Sequence, residues 1–348
     1  MNLMKIRRML NSYGLYVSKR AESTFLFLVL IVVIVTILLS WQMHGIRPRA
    51  LCMSDVNLKS QSLNRSGIHV IPSVPEKRSW FENLEKEEED LFNPYLSECV
   101  DVKAPGDLGT LLTCIHDAKK DLMVSAHLKN KGGWEPENVE AMYEMHKRFP
   151  GLVLVDLGCN IGVFTLPAAK MGMEVVAVDS MLSSLQLLQR SLFINGLSCH
   201  VTLIHNALYR KQMQMRVALD PSNVGASKVV EILEFRRHKI HPSQLVDAVC
   251  LDDLMPLVKG KTVFLKVDLE NNERALLECA DQFFKYVNVK VLLIEWMYYR
   301  HNEKDSRFIK NFLLKHHMVP TWGIDIDREI DVSASSNWPD NVFWMKRG

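Results

Sequence analysis

Leu152-Val153-Leu154-Val155-Asp156-Leu157-Gly158-Cys159-Asn160-Ile161-Gly162 decides the fold. Leu152–Val155 is a short apolar strand, and Asp156 to Gly162 follows it directly and opens a helix that Gly172 stops. Gly158 permits a sharp turn, and Gly162 permits close approach of helix or ligand where a Cβ would clash. The free N–H groups of the helix start suit an anionic group, and Pro167 lies near the first turn, where a missing N–H is best tolerated. A dinucleotide fingerprint needs glycine two and five positions after Gly158, but those positions hold Asn160 and Val163. A nicotinamide enzyme is therefore set aside. The next strand, Glu174–Val178, ends in Asp179, 21 positions after Gly158, where a carboxylate can accept from both ribose hydroxyls of an adenosine ligand. Adenosine without a pyrophosphate points to S-adenosylmethionine, with Asp156, Gly158, Asn160, Gly162 and Asp179 as candidate cofactor residues.

Outward from this stretch, strand-like and helix-like runs alternate. Glu137–Arg148 has helical spacing, Leu182–Asn195 is a helix closed by Asn195-Gly196, and Val201–His205, Val263–Val267 and Val291–Ile294 are apolar strands. Short apolar strands between helices mean a mostly parallel sheet covered on both faces, and ligands of such sheets lie beyond the carboxyl ends of the strands. At those ends sit Asp268 and Glu270 after the fourth strand, Glu295 after the fifth, and His205 and Asn206 after the third. Acidic groups there can orient an acceptor, take its proton or bind a divalent cation. The competing reading of Glu270 and Glu273 is helix capping. Asn206 offers both polarities to an adenine edge, and His205 reads equally as a half-buried structural histidine. Arg236–His241 reads as a solvated loop over the pocket mouth.

These residues resemble the FkbM family of S-adenosylmethionine-dependent methyltransferases over about residues 151–294. Val155–Thr165 (VDLGCNIGVFT) is similar to the family's V-D-x-G-x-N-x-G-x-[FY]-T opening, Asn195-Gly196-Leu197 to its N-G-L, Leu251–Leu254 to its L-D-D-L, and Leu265–Glu270 (LKVDLE) to its L-K-x-D-x-E. One departure is that Asn271 stands where the family has glycine; asparagine tolerates a left-handed backbone better than most residues. Trp134-Glu135 resembles a W-E or Y-E pair that lids the cofactor. The resemblance implies a class I methyltransferase (Rossmann-like) α/β fold with a seven-stranded sheet whose last hairpin comes from residues 313–348. It also implies methyl transfer to a hydroxyl, with Asp268 or Glu270 as first choice for the base and His205 as second, S-adenosylmethionine as cofactor, and no metal assigned.

The whole chain has 348 residues, 48% hydrophobic and 24% charged, with a net charge of +2 from 42 basic and 40 acidic residues. Those values exclude a disordered chain, a collagen, a disulfide scaffold and a polytopic membrane protein, and give no global nucleic-acid signal, so nucleic acid is not expected as a partner. The averages hide one segment: Ser23 to Met43 carries no charge, long enough for the roughly 20 residues that cross a bilayer. Lys5, Arg7, Arg8, Lys19 and Arg20 precede it, which favours a cytoplasmic N-terminus. The expected organisation is a tail over 1–22, an uncleaved signal anchor over 23–43, a luminal stem over 44–93 and the catalytic domain over 94–348. The sequon at Asn64 agrees with a luminal stem. In an oxidising lumen Cys52 is a candidate for linking two chains, and Cys99 with Cys114 for pairing. The reading is a type II, Golgi, luminal O-methyltransferase of glycans or glycoconjugates. The alternatives are a cytosol-facing methyltransferase of lipids or small molecules, and an inert protein that kept the fold.

Overall fold

The computed structural model describes residues 66–72, 97–220, 223–233 and 240–347. The apolar run 23–43, Cys52, Asn64 and the basic residues 236–239 lie outside the described residues, and among those that are described no helix is long and apolar enough to cross a membrane. The chain divides into two units, Met1–Cys52, which lies outside the description, and Met53–Gly348, to which everything below refers.

The central strand β4 (Val153–Leu157) is buried along its whole length. Its alternate residues serve two cores. Val153, Val155 and Leu157 pack with Leu254, Leu276 and Phe312 on one side, while Leu154 packs with Met142, Leu166 and Leu188 on the other. Such a strand needs cover on both faces, and the two-residue side-chain period delivers it. β5 (Val175–Asp179), β6 (Val201–His205), β11 (Thr262–Val267) and β12 (Asn288–Glu295) join β4 in parallel, with Val155 opposite both Val176 and Leu265. β14 (Asn341–Lys346) runs antiparallel to β12 and to β13 (Met318–Thr321). With β1 (Val70–Ile71) at one edge, the sheet order is β1-β6-β5-β4-β11-β12-β14-β13. Numbering only the strands from β4 onward that belong to this sheet gives 3-2-1-4-5-7-6, with the seventh reversed. This is the class I methyltransferase arrangement, ending in a hairpin as expected.

Two differences from the sequence reading stand out. The sheet has eight strands among the described residues rather than seven, because residues read as stem dock on its edge: Val70 pairs with Ile204, and Ile68 is fully buried. Between β6 and β11, a second sheet of β7 (Ala207–Leu208), β8 (Met213–Ala218), β9 (Lys228–Glu231) and β10 (Leu245–Val249), in the order β7-β10-β8-β9, stands where no strands were expected. A hairpin of β2 (Cys99–Lys103) and β3 (Thr110–Cys114) precedes the main sheet. Its directly opposed Cys99 and Cys114, a candidate pair in the sequence, are joined by a disulfide, and Cys250 is bonded to Cys279, which the sequence did not indicate.

The helices α1 (Val124–Lys131), α2 (Pro136–Arg148), α3 (Thr165–Lys170), α4 (Leu182–Ile194), α5 (Leu251–Val258), α6 (Glu273–Leu277), α7 (Asp281–Tyr286) and α8 (Glu303–Lys315) complete the layers. Gly162 fixes one helix contact: a Cβ there would lie 2.3 Å from Leu188 Cδ1 of α4. Its φ of +93° is in any case unfavourable for other residues.

Candidate active site

A cavity of about 280 Å³ opens at the carboxyl ends of the parallel strands, lined among others by Gly158, Asp179, Lys266, Asp268, Glu270 and Tyr298. Its floor is the turn after β4. Gly158 has φ +78°, and a Cβ on it would lie 1.8 Å from the Asp268 carbonyl oxygen. Only bare backbone lets the first and fourth strand tips meet. The Asp268 N–H closes the contact by donating to Leu157 O at 3.0 Å.

Asp179 ends β5 at the cavity wall. Its carboxylate accepts the Asn160 N–H at 2.8 Å and the Met181 N–H at 2.7 Å. Two backbone donors fix its orientation and leave further lone pairs for ligand hydroxyls. Burial pushes its acid up to about 6 against those hydrogen bonds.

Lys266 organises the fourth strand tip. Its ammonium is 3.2 Å from Asp268 Oδ2 and 3.9 Å from Asp156 Oδ1, and it donates to Gly158 O at 3.1 Å. Burial works against its charge, but Asp268, Asp156 and Glu135 more than compensate, so the amine is held well above its ordinary range. Asp268 is thus engaged in an ion pair. Glu270, two positions on, accepts from the Tyr298 hydroxyl at 2.6 Å. Burial raises its acid, and that hydrogen bond opposes the rise. Both Glu270 (φ +52°) and Asn271 (φ +76°) are left-handed, a costly pair for residues with side chains. Asn271 therefore meets the backbone demand that a glycine would.

Glu273 ties the turn before α6 together and does not cap the helix, whose N-cap position is Asn272 with no side-chain cap: its carboxylate accepts the Leu269 N–H at 2.7 Å and the Tyr299 hydroxyl. Burial pushes its acid up to about 7. Glu295 is pushed up further still, by burial and by the neighbouring Asp268, Glu273 and Glu270, which favours its neutral form. Oxygens of Asp268, Glu273 and Glu295 lie within 4.8 Å of one another.

Four sequence assignments need correction. Asn206 lines the cavity, but both its amide donors are taken: the nitrogen donates to Gly67 O at 3.0 Å and Asp247 O at 2.9 Å, while the oxygen accepts the His69 N–H at 2.8 Å. It ties the β1 segment to β10 and has no donor left for an adenine edge. His205 is not among the cavity's lining residues; its Nε2 is 3.1 Å from Ser180 O, and burial lowers its basicity. Asp156 is buried below the floor, accepts from Thr165 Oγ1 at 2.6 Å and supports Lys266 instead of lining the cavity. Gly162 likewise serves the helix contact described above.

Sequence reasoning gave no role to Lys266 and Tyr298. Lys266 was legible only as part of LKVDLE, and Tyr298 had no signal beyond standing three positions after Glu295. Glu135, noted for its resemblance alone, does line the cavity, held by Asn138 Nδ2 at 3.1 Å and Asn341 Nδ2 at 3.0 Å.

No family profile matches the chain. Curated relatives from Shewanella strains ANA-3, MR-4 and MR-7, each the 23S rRNA (uracil(1939)-C(5))-methyltransferase RlmD, are 30% identical over 109 residues, 29% of this chain and 23% of theirs. The chain thus matches less than a quarter of the length of these relatives. Among solved structures, the T. thermophilus 16S rRNA N2 G1207 methyltransferase RsmC, in complex with AdoMet and guanosine, has a TM-score of 0.37 at 16% identity, over 76% of this chain and 54% of its own. The magnesium protoporphyrin IX methyltransferase ChlM from Synechocystis PCC 6803, with bound SAM, has a TM-score of 0.34 at 13% identity, over 60% of this chain and 76% of its own. The expectation that nucleic acid is not a partner conflicts with the match to RlmD, which is by name an RNA methyltransferase.

Proposed function

We propose that the protein is an S-adenosylmethionine-dependent methyltransferase that methylates a hydroxyl oxygen. The observation that carries this reading is the turn at Gly158, pressed against Asp268 and flanked by the fixed carboxylate of Asp179. It is a cradle open to backbone approach, with a ribose-type acceptor beside it. The orphaned Oδ1 of Asn160 in the same turn agrees with a polar ligand. Gly158 and Asp179 would hold the cofactor, which supplies an electrophilic methyl carbon when bound. The chain's own residues place the acceptor and hold its proton. Glu270 is the better base, because Lys266 engages Asp268, whereas Glu270 faces the cavity with its basicity raised by burial. Glu270 would hold the proton that the acceptor hydroxyl gives up when its oxygen takes the methyl carbon and the sulfur–methyl bond breaks, and positioning would supply most of the remaining catalysis.

The finer reading is a glycan or glycoconjugate acceptor, met in the secretory lumen by a type II Golgi protein. The uncharged run before residue 44, the basic residues ahead of it and the Asn64 sequon support that placement. The disulfides Cys99–Cys114 and Cys250–Cys279 support an oxidising compartment. A second reading, an RNA acceptor, is favoured by the match to RlmD. The test is a methyl-transfer assay of the full-length protein with labelled cofactor and separate glycan, glycoprotein and RNA acceptors. Label in glycan hydroxyls supports the first reading, label in RNA the second. Label in neither, with cofactor bound, supports an inert protein.

A further inference from the structure

Beside the cavity, a buried polar recess is built by parts of the chain that sequence reasoning left unassigned. Asp121 is fully buried, yet its Oδ1 meets no hydrogen-bond partner among the described residues. Its Oδ2 is fully explained: it accepts the Ser125 N–H at 3.0 Å and the Ser125 hydroxyl at 2.6 Å, capping the turn into α1. An asparagine or serine would cap as well without a charge, so the buried Oδ1 is the unexplained oxygen. Two more buried acceptors without partners stand nearby, Asn160 Oδ1 in the β4 turn and Asn223 Oδ1. Asn223 forms a β-bridge with Asp121 itself. Gly225 marks the space between: a Cβ on it would lie 2.9 Å from Asn160 Nδ2 and 3.5 Å from Asp121 Oδ1. Asn160, Asn223 and Gly225 line the cavity, and Asp121 stands fully buried behind them.

The charge decides what belongs there. A buried carboxylate without a countercharge is costly, and no lysine or arginine among the described residues forms an ion pair with Asp121. His116 feels its charge, but burial lowers that imidazole's basicity against the pull of Asp121, which makes it a weak countercharge. A neutral donor such as an adenine amino group would satisfy one acceptor and leave the charge. A primary ammonium brings up to three donors and the charge together.

We propose that the recess of Asp121, Asn160, Asn223 and Gly225 receives the α-ammonium of the cofactor's amino-acid end. This rests on the methyltransferase reading and deepens it by orienting the cofactor in the cavity.

The experiment is calorimetric binding to the full-length protein of two probes. S-adenosylhomocysteine carries the amino-acid end, and 5′-methylthioadenosine lacks it. Asp121→Asn keeps an oxygen for Ser125 and turns the other atom into a donor. It should weaken S-adenosylhomocysteine at least tenfold and leave 5′-methylthioadenosine within twofold. Gly225→Ala, which meets only the end of the Asn160 side chain at close range, should show the same split and guards against a folding defect in the first variant. Equal loss for both probes would place the recess at the adenosine end, and no loss for either would mean that it holds only water; each overturns the proposal. A wild-type protein that binds neither probe overturns the methyltransferase reading beneath it, so the two failures are distinguishable.

Discussion

Lys266 separates two carboxylates that the sequence leaves equivalent, pairing with Asp268 at 3.2 Å while Glu270 accepts the Tyr298 hydroxyl. Glu270→Gln is expected to lower kcat by about 10²–10⁴ with cofactor affinity retained, measured by turnover beside calorimetry. The rate should rise with pH through the elevated Glu270 pKa. Tyr298→Phe removes the hydrogen bond that holds that pKa down and should move the acidic limb to higher pH. Asp179→Ala removes ribose acceptors and should weaken S-adenosylhomocysteine by roughly 10–100-fold, for hydrogen bonds of about 1–3 kcal/mol in total. Asp179 and Glu273 also leave a mark on stability. Their folded acids lie at about 6 and about 7, above the ordinary carboxylate values, so the folded state holds more protons than the unfolded one between pH 4 and 7. Stability should therefore fall as pH rises through that window and level off above it. Glu273→Gln should flatten the slope in thermal unfolding at pH 5 and pH 7.5, whereas an unchanged slope would mean that Glu273 is not protonated when folded.

At the level of elements, the disulfide between Cys250, at the start of α5, and Cys279, just beyond α6, closes a segment of 29 positions that contains β11 and the catalytic turn. Replacing both cysteines by serine should cost about 3–4 kcal/mol of unfolding free energy by the loop-entropy account, read by denaturant titration. The sequence made the central elements legible because burial on both faces writes itself as an unbroken apolar run. The Val201–His205 strand has the bounds expected, and Glu174–Val178 and Leu182–Asn195 shift by a single residue at one or both ends. It was silent where pairing is local and half-exposed. β8 and β9 mix Met, Gln, Arg, Lys and Glu with apolar residues, and β1 is only two residues long. For the site, legibility followed the strand tips, so Gly158, Asp179, Asp268 and Glu270 were placed at the cavity. Asn206 and His205 were misjudged because the partners that occupy them, His69, Asp247 and Ser180, are known only once the chain is folded. Asp121 had no local pattern at all.

For the whole molecule, a catalytic unit with two described disulfides follows a segment whose sequence suits a signal anchor. Expressed in secretory cells, the chain should carry an N-linked glycan at Asn64, seen as a glycosidase-sensitive mobility shift that Asn64→Gln abolishes. An unmodified Asn64 together with reduced Cys99 and Cys250 would favour the cytosol-facing arrangement. The glycine turn, the fixed Asp179 carboxylate and the Lys266-centred floor all stand or fall on one ligand. The most direct measurement is calorimetric titration of the folded full-length protein with S-adenosylhomocysteine, beside Gly158→Ala, whose Cβ would strike the Asp268 carbonyl. The account predicts saturable one-to-one binding by the wild type and its loss in a Gly158→Ala protein that remains folded. No heat of binding from the folded wild-type protein would contradict it.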